Sequence, residues 1–145
     1  MSQNVKFIAS YQATTHASVD NVWALWADVN NWKEWDSGIK HSELLTQFSA
    51  GNSFSLTPQG GEPIPVTLKT VTPGKEFSDE AVLPFGVLRN IHRIEQLGQK
   101  ITVTHEVHAE IKPDASGFFG KEIWPHMQCG LPESVNNIIS LATQK

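Results

Sequence analysis

The segment VLRNIHRIEQLGQKITVTHEVHAEI (87–111) holds the residues best suited to chemistry, His92 and His105. Gly98-Gln99 reads as a two-residue hairpin loop, with glycine first as a type II′ turn favours. That loop pairs Leu97 with Lys100, Ile94 with Val103, His92 with His105 and Asn90 with Val107. Side chains alternate between faces along a strand. Ile101, Val103, Val107 and Ala109 are the apolar set of the second strand, and His105 shares their face. Leu88, Asn90, His92 and Ile94 are the partner set. Directly opposed Cβ atoms stand ~4.5–5.5 Å apart, so the two imidazoles should touch on the inner face of the sheet.

Two histidines in contact resist being charged together, so at least one should be neutral near pH 7. A neutral imidazole in apolar surroundings can take a proton from, or hydrogen-bond to, a phenol, enol or carbonyl. That is the chemistry of a cyclisation or dehydration. Bonding of the pair to itself, to Asn90 or to water in a plain structural network is the competing interpretation.

Other chemistries find little support. Two histidines on adjacent strands are too few for a metal, and no third ligand is identifiable. No Ser/His/Asp triad can be argued, and Gly60-Gly61 lies between prolines with no phosphate-binding lysine or helix after it. No cofactor is expected. The net charge is −4 and the 11 Lys and Arg form no run, which leaves no electrostatic footprint for nucleic acid. Cys129 is the single cysteine, so no internal disulfide is possible. No apolar run reaches the ~20 residues of a membrane span, and the first residues lack a signal-peptide core. A cytoplasmic protein without membrane insertion is expected. Its oligomeric state, a homodimer included, is left open.

The elements that must position the histidines follow from periodicity. A chain of 145 residues reads as one domain, 1–145. Residues 4–14 alternate as a strand. Ser18 is a helix N-cap with Asp20 in the first turn, and Val19, Val22, Trp23 and Trp26 form one helical face. A second short helix carries Trp32 and Trp35 and ends at Gly38. Strands are expected at 39–45, 53–58, 65–73, 75–83, 87–97 and 100–111, with 112–117 as a loop. Phe119, Ile123, Met127, Leu131, Val135 and Ile138 then recur at helical spacing. Pro125 and Pro132 each remove a hydrogen bond there, so a single bent helix is preferred over two helices. Strands with segregated helices give an α+β fold: a curved antiparallel sheet of about seven strands wrapped round a long C-terminal helix, with two short helices after strand 1.

Four of the five tryptophans crowd into residues 23–35. Each aromatic ring buries ~150–250 Å², so the cluster is read first as packing at one end of the sheet. Trp32, at the junction of the short helices, is the ring expected nearest a cavity mouth.

This order of elements resembles the START-like, or SRPBCC, superfamily with its helix-grip fold, and within it the polyketide cyclase/dehydrase-type members. The resemblance is carried by SVDNVWALWADVNNWKEWDSGI (18–39), the Phe48/Gly51 turn, VTPGKEF (71–77), HRIEQLGQKITVTHEV (92–107) and the closing helix. Lys33 stands where the family often has proline. The resemblance implies a hydrophobic cavity between sheet and long helix, used in the superfamily for lipids, sterols, plant hormones, polyketides or partner proteins. The fold itself hosts many functions. A small hydrophobic ligand, aromatic, polyketide-like or lipid, is therefore expected in that cavity. Its polar contacts would be Asn90, His92 and His105, and its apolar contacts Trp32, Phe77, Ile94, Val103, Trp124 and Met127. The loops at 58–65 and 83–86 would form the mouth. In an enzyme, His92 and His105 would carry protons. The alternatives are a lipid or signal-molecule carrier or sensor without turnover, and a partner-protein module of the co-chaperone sort.

Overall fold

Alternation of apolar and polar residues builds seven strands in the computed structural model, which describes residues 3–144. They are β1 (Val5–Thr15), β2 (Ile39–Glu43), β3 (Ser53–Pro58), β4 (Ile64–Thr72), β5 (Glu76–Leu83), β6 (Gly86–Leu97) and β7 (Lys100–Ile111). All pair antiparallel, in the order β1-β7-β6-β5-β4-β3-β2. The sheet curls into a half-barrel round the C-terminal helix, the helix-grip arrangement.

Between β1 and β2 lie α1 (Val19–Ala27) and a short 3-10 helix (Val29–Glu34). Ser18 is the N-cap, its Oγ accepting from the Asn21 backbone N–H at 3.1 Å. Replacing Ser18 with Ala should lower stability by ~1 kcal/mol in urea denaturation, since it orphans that donor. The Asn21 side chain reaches the Ala142 carbonyl at 3.0 Å and ties α1 to the last turn of the closing helix.

The β6–β7 hairpin turns at Gly98, whose φ of 61° and the lack of any positive-φ residue other than glycine among the described residues fit the type II′ reading. At the β5–β6 turn, Gly86 lies so close to β7 that a Cβ would stand 2.3 Å from the Glu110 carbonyl oxygen.

The closing helix begins earlier than expected. Residues 112–117 were expected to be a loop, but Pro113 occupies the first helical turn, where its missing N–H is no loss, and α2 runs Pro113–Phe118. A π turn, Phe119–Ile123, joins it to α3 (Trp124–Thr143). Helical structure is therefore continuous from Pro113 to Thr143. The wider π turn ends just ahead of Pro125, which cannot donate into a regular ladder. Pro132 lies inside α3 and withholds a donor from the Gln128 carbonyl, on an exposed residue where water can serve.

Apolar packing falls into two clusters. One, around Trp26, Trp32, Trp35, Phe54 and Phe77, extends to Ile94, Val103, Val135 and Ile138. The other, around Phe119 and Trp124, holds Val107, Ala109, Ile111 and Leu131. His105 sits on β7 between Val103 of the first cluster and Val107 of the second.

Candidate functional site

The β6–β7 register places His92 directly opposite His105, as the turn chemistry requires. The two rings stack with centroids 4.0 Å apart and planes 27° from parallel. Phe77, opposite His92 on β5, stacks on its other face at 4.4 Å and 4°. Trp26 and Trp35 meet His92 edge-on, at 5.3 and 6.1 Å. His92 is thus enclosed by aromatic rings on both faces and along its rim.

The two histidines differ in how their nitrogens are satisfied. His105 Nε2 lies 2.8 Å from Asn90 Oδ1, and its Nδ1 lies 3.2 Å from Ser134 Oγ on α3. Asn90 pairs with Asp79 across β5–β6, which sets the two side chains on one face of the sheet. Ser134, His105 and Asn90 therefore form one hydrogen-bonded chain from α3 to β6, half-buried at its Asn90 end. His92 stands outside it. Among the described residues neither of its ring nitrogens has a hydrogen-bond partner, and nor does Trp35 Nε1. Trp32 is satisfied, its Nε1–H donating to the Trp26 carbonyl at 2.8 Å.

Burial governs the charge state of these groups. It lowers the His92 pKa well below 6.5, and repulsion from His105 pushes in the same direction. Burial alone brings His105 down to about 4. Both rings are neutral at pH 7. The Asp79 carboxyl is raised to about 7 by burial, which the neighbouring Asn90 side chain only partly offsets.

The structure gathers Phe77, Asn90, His92, Ile94, Val103 and His105 on the concave face of three adjacent strands. Trp124 and Met127 belong to the second cluster, at the other end of the helix seam. Trp32 was expected near a mouth. It is 3% exposed and packs against Trp35, Phe54 and Phe77, so it is part of the interior wall. Trp23 and Phe48 are the half-buried rings of this set, both against Phe77. Two surface grooves of about 400 Å³ lie elsewhere, one beside Lys75 and Gln96, the other beside Leu45 and Pro63, and neither is lined by His92, His105 or Asn90.

Sequence reasoning missed Asp79 and Ser134. A signal existed for each. Asp79 lies in phase with inward Phe77 and Ala81 on β5, and Ser134 falls among Leu131, Val135 and Ile138 on the apolar stripe of α3. Tyr11, opposite His105 on β1, completes the inward polar band, and Asn136 on α3 donates to its hydroxyl at 3.5 Å. Among the described residues no group of three or more His, Cys, Asp or Glu could hold a metal. Among them, too, no helix is long and apolar enough to cross a membrane.

A family model described as "Polyketide cyclase / dehydrase and lipid transport" matches residues 6–132. A search of curated proteins finds no match. Among solved structures, a point mutant of norcoclaurine synthase from Thalictrum flavum, in complex with a transition state analogue, superposes with a TM-score of 0.78 at 12% identity, over 99% of this chain and 98% of that one. The di-domain ARO/CYC StfQ from the steffimycin biosynthetic pathway gives 0.78 at 13% identity, over 98% of this chain and 51% of that one. A START superfamily protein from Mycobacterium smegmatis gives 0.71 at 14% identity, over 94% and 97%. At these identities the likeness is one of fold.

Proposed function

The chain belongs to the polyketide cyclase / dehydrase and lipid transport family, and we propose that it binds a small, flat, largely apolar molecule between the concave face of the sheet and the C-terminal helix, with His92 as the polar contact. The observation that carries this reading is the state of His92. The residue is 4% exposed, yet neither ring nitrogen is partnered among the described residues. An unsatisfied buried donor or acceptor costs ~1–3 kcal/mol, and such groups are rare enough to need a reason. A hydroxyl, enol or carbonyl on a bound molecule supplies the missing partner, while the surrounding rings supply apolar contact. The interior is closely packed, so entry requires a ring to move. Phe48, half-buried on the loop between β2 and β3, and Trp23 on α1 cover Phe77 from outside, and Phe48 is the one carried on a loop.

Equilibrium dialysis against 2-naphthol, 2-methoxynaphthalene and naphthalene tests this directly. The hydroxyl compound should bind about tenfold more tightly than the hydrocarbon, the worth of one ~1.4 kcal/mol contact. His92→Phe should abolish that preference, retain naphthalene binding and raise stability by ~1–3 kcal/mol, because two orphaned nitrogens are gone. Equal affinities in the parent protein would remove His92 from the site. No binding of any probe would favour a partner-protein module.

A second reading, cofactor-free acid–base catalysis, is favoured by one observation. Burial and the neighbouring His105 hold His92 as the free base at pH 7, the form that takes a proton from a phenol or enol. Cyclisation, dehydration or isomerisation would follow from that proton transfer. Conversion of a bound compound, lost in His92→Phe while binding persists, separates this enzyme from a carrier.

A further inference from the structure

Among the described residues three buried side-chain polar atoms have no hydrogen-bond partner, and all three sit on two rings in contact. They are both ring nitrogens of His92 and Nε1 of Trp35, on residues 4% and 2% exposed. Such atoms are rare in a folded protein, so their meeting at one spot calls for a common cause. The contact is edge-on, with centroids 6.1 Å apart and planes 77° from parallel. Phe77 and His105 cover the two faces of His92. Trp35 therefore meets its rim, where the two nitrogens are. Hydrogen bonds to the closing helix hold this part of the chain in place. The Trp35 carbonyl accepts from the Asn137 side chain at 3.3 Å, and the Ser37 N–H donates to Glu133 at 3.2 Å. The two rings thus meet where sheet and helix face each other.

The unpartnered atoms differ in what they require. A neutral imidazole offers one N–H and one bare nitrogen, so it can donate or accept. An indole N–H only donates. Whatever His92 does, Trp35 needs an acceptor. We infer that Trp35 is a specificity-determining residue of the site, its Nε1–H donating to the same ligand oxygen that His92 meets. Trp35 is the fixed half of the pair and His92 the adaptable half. A hydroxyl oxygen accepts from Trp35 and gives its proton to the bare nitrogen of His92. A carbonyl oxygen accepts from Trp35 and from the His92 N–H. The ligand class is therefore a flat molecule with one such oxygen, a phenol or an enolisable ketone in either form. This inference rests on the ligand-binding reading above. It adds to His92 a second polar contact, on a tryptophan that the sequence reads as packing.

Indole N–H signals in 1H–15N spectra of the full-length protein test the assignment. Trp32 is the internal reference, because its Nε1–H is already bonded to the Trp26 carbonyl. The naphthalene complex is the control for ring currents, since it has the same rings and no oxygen. Saturating 2-naphthol or 2-acetylnaphthalene should move the Trp35 Nε1 proton downfield of its place in that complex, as a new hydrogen bond does, and leave Trp32 where it is. In dialysis, Trp35→Phe should cut the parent's preference for 2-naphthol over naphthalene from about tenfold to about threefold, half of that free energy. It should keep naphthalene affinity within about twofold of the parent. The spectra need only the parent protein, so the inference stays testable if Trp35→Phe does not fold. A Trp35 proton at one position in all three complexes, or a Trp35→Phe variant with the full preference, would overturn the inference and leave His92 as the polar contact. Equal affinities for 2-naphthol and naphthalene in the parent would instead remove the ligand-binding site itself, and the role of Trp35 with it.

Discussion

Asp79→Asn should make the protein more stable at pH 8, on the order of 4 kcal/mol, and leave it nearly unchanged at pH 3. An aspartate carboxyl free in water titrates at 3.8, whereas that of Asp79 titrates at about 7 in the fold, raised by burial. Its folded form holds the proton more tightly. The stability it contributes is complete below 3.8 and is lost as pH rises through 7. The gap is about 3 pH units, at ~1.4 kcal/mol each. An asparagine has nearly the same shape and never has to ionise. His92 and His105 act in the opposite sense. Their folded pKa values lie below 6.5, so their contribution is present above 6.5 and is lost as pH falls toward 4. From pH 4 to 6.5 two histidines outweigh one carboxyl and stability should rise. From 6.5 to about 7 only Asp79 still titrates and stability should fall. Urea denaturation from pH 3 to 8 should show a maximum near 6.5 in the parent protein and a plateau above it in Asp79→Asn. A variant no more stable than its parent at pH 8 would show that the carboxylate is well accommodated where it lies.

Phe77→Ala should cost ~3–5 kcal/mol, the range for deleting a fully buried phenylalanine. That is a large share of the ~5–15 kcal/mol that holds a domain of ordinary stability. Phe77 is 0% exposed and touches Trp23, Trp26, Trp32, Phe48 and His92. These rings are held by different parts of the chain, so they cannot all close in on the space left behind. The variant should also bind naphthalene more tightly than the parent, since an apolar cavity of that kind stays dry and accepts an aromatic guest. Calorimetric or urea unfolding gives the first quantity and dialysis the second. A loss below ~1 kcal/mol would mean that the aromatic interior collapses freely around the deletion.

Much of the frame is legible in the sequence because it depends on local rules. One two-residue turn at Gly98-Gln99 sets the register of both long strands, and with it the His92–His105 contact. Ser18 and the spacing of Val22 and Trp26 announce α1 and its buried face. The tryptophans read as packing first, and Trp26, Trp32 and Trp35 are indeed buried. The places of Asp79 and Ser134 are not legible in the same way, because they depend on nonlocal quantities. Asp79 meets Asn90 only through the β5–β6 register, and Ser134 reaches His105 only through the rotational setting of α3 against β7. The first turn of the closing helix escapes for a local reason. Pro113 reads as a loop residue, although proline at the first helical position is favourable.

The family and the fold make hydrophobic ligand binding the natural proposal, and His92 is where that proposal is most exposed to test. The decisive measurement is the pair of 15N shifts of the His92 imidazole during a titration with 2-naphthol. A saturable change at His92, larger than any at His105, is the expected result. Saturable binding of naphthol that leaves both His92 nitrogens unmoved would contradict it and would return His92 to the role of a core residue.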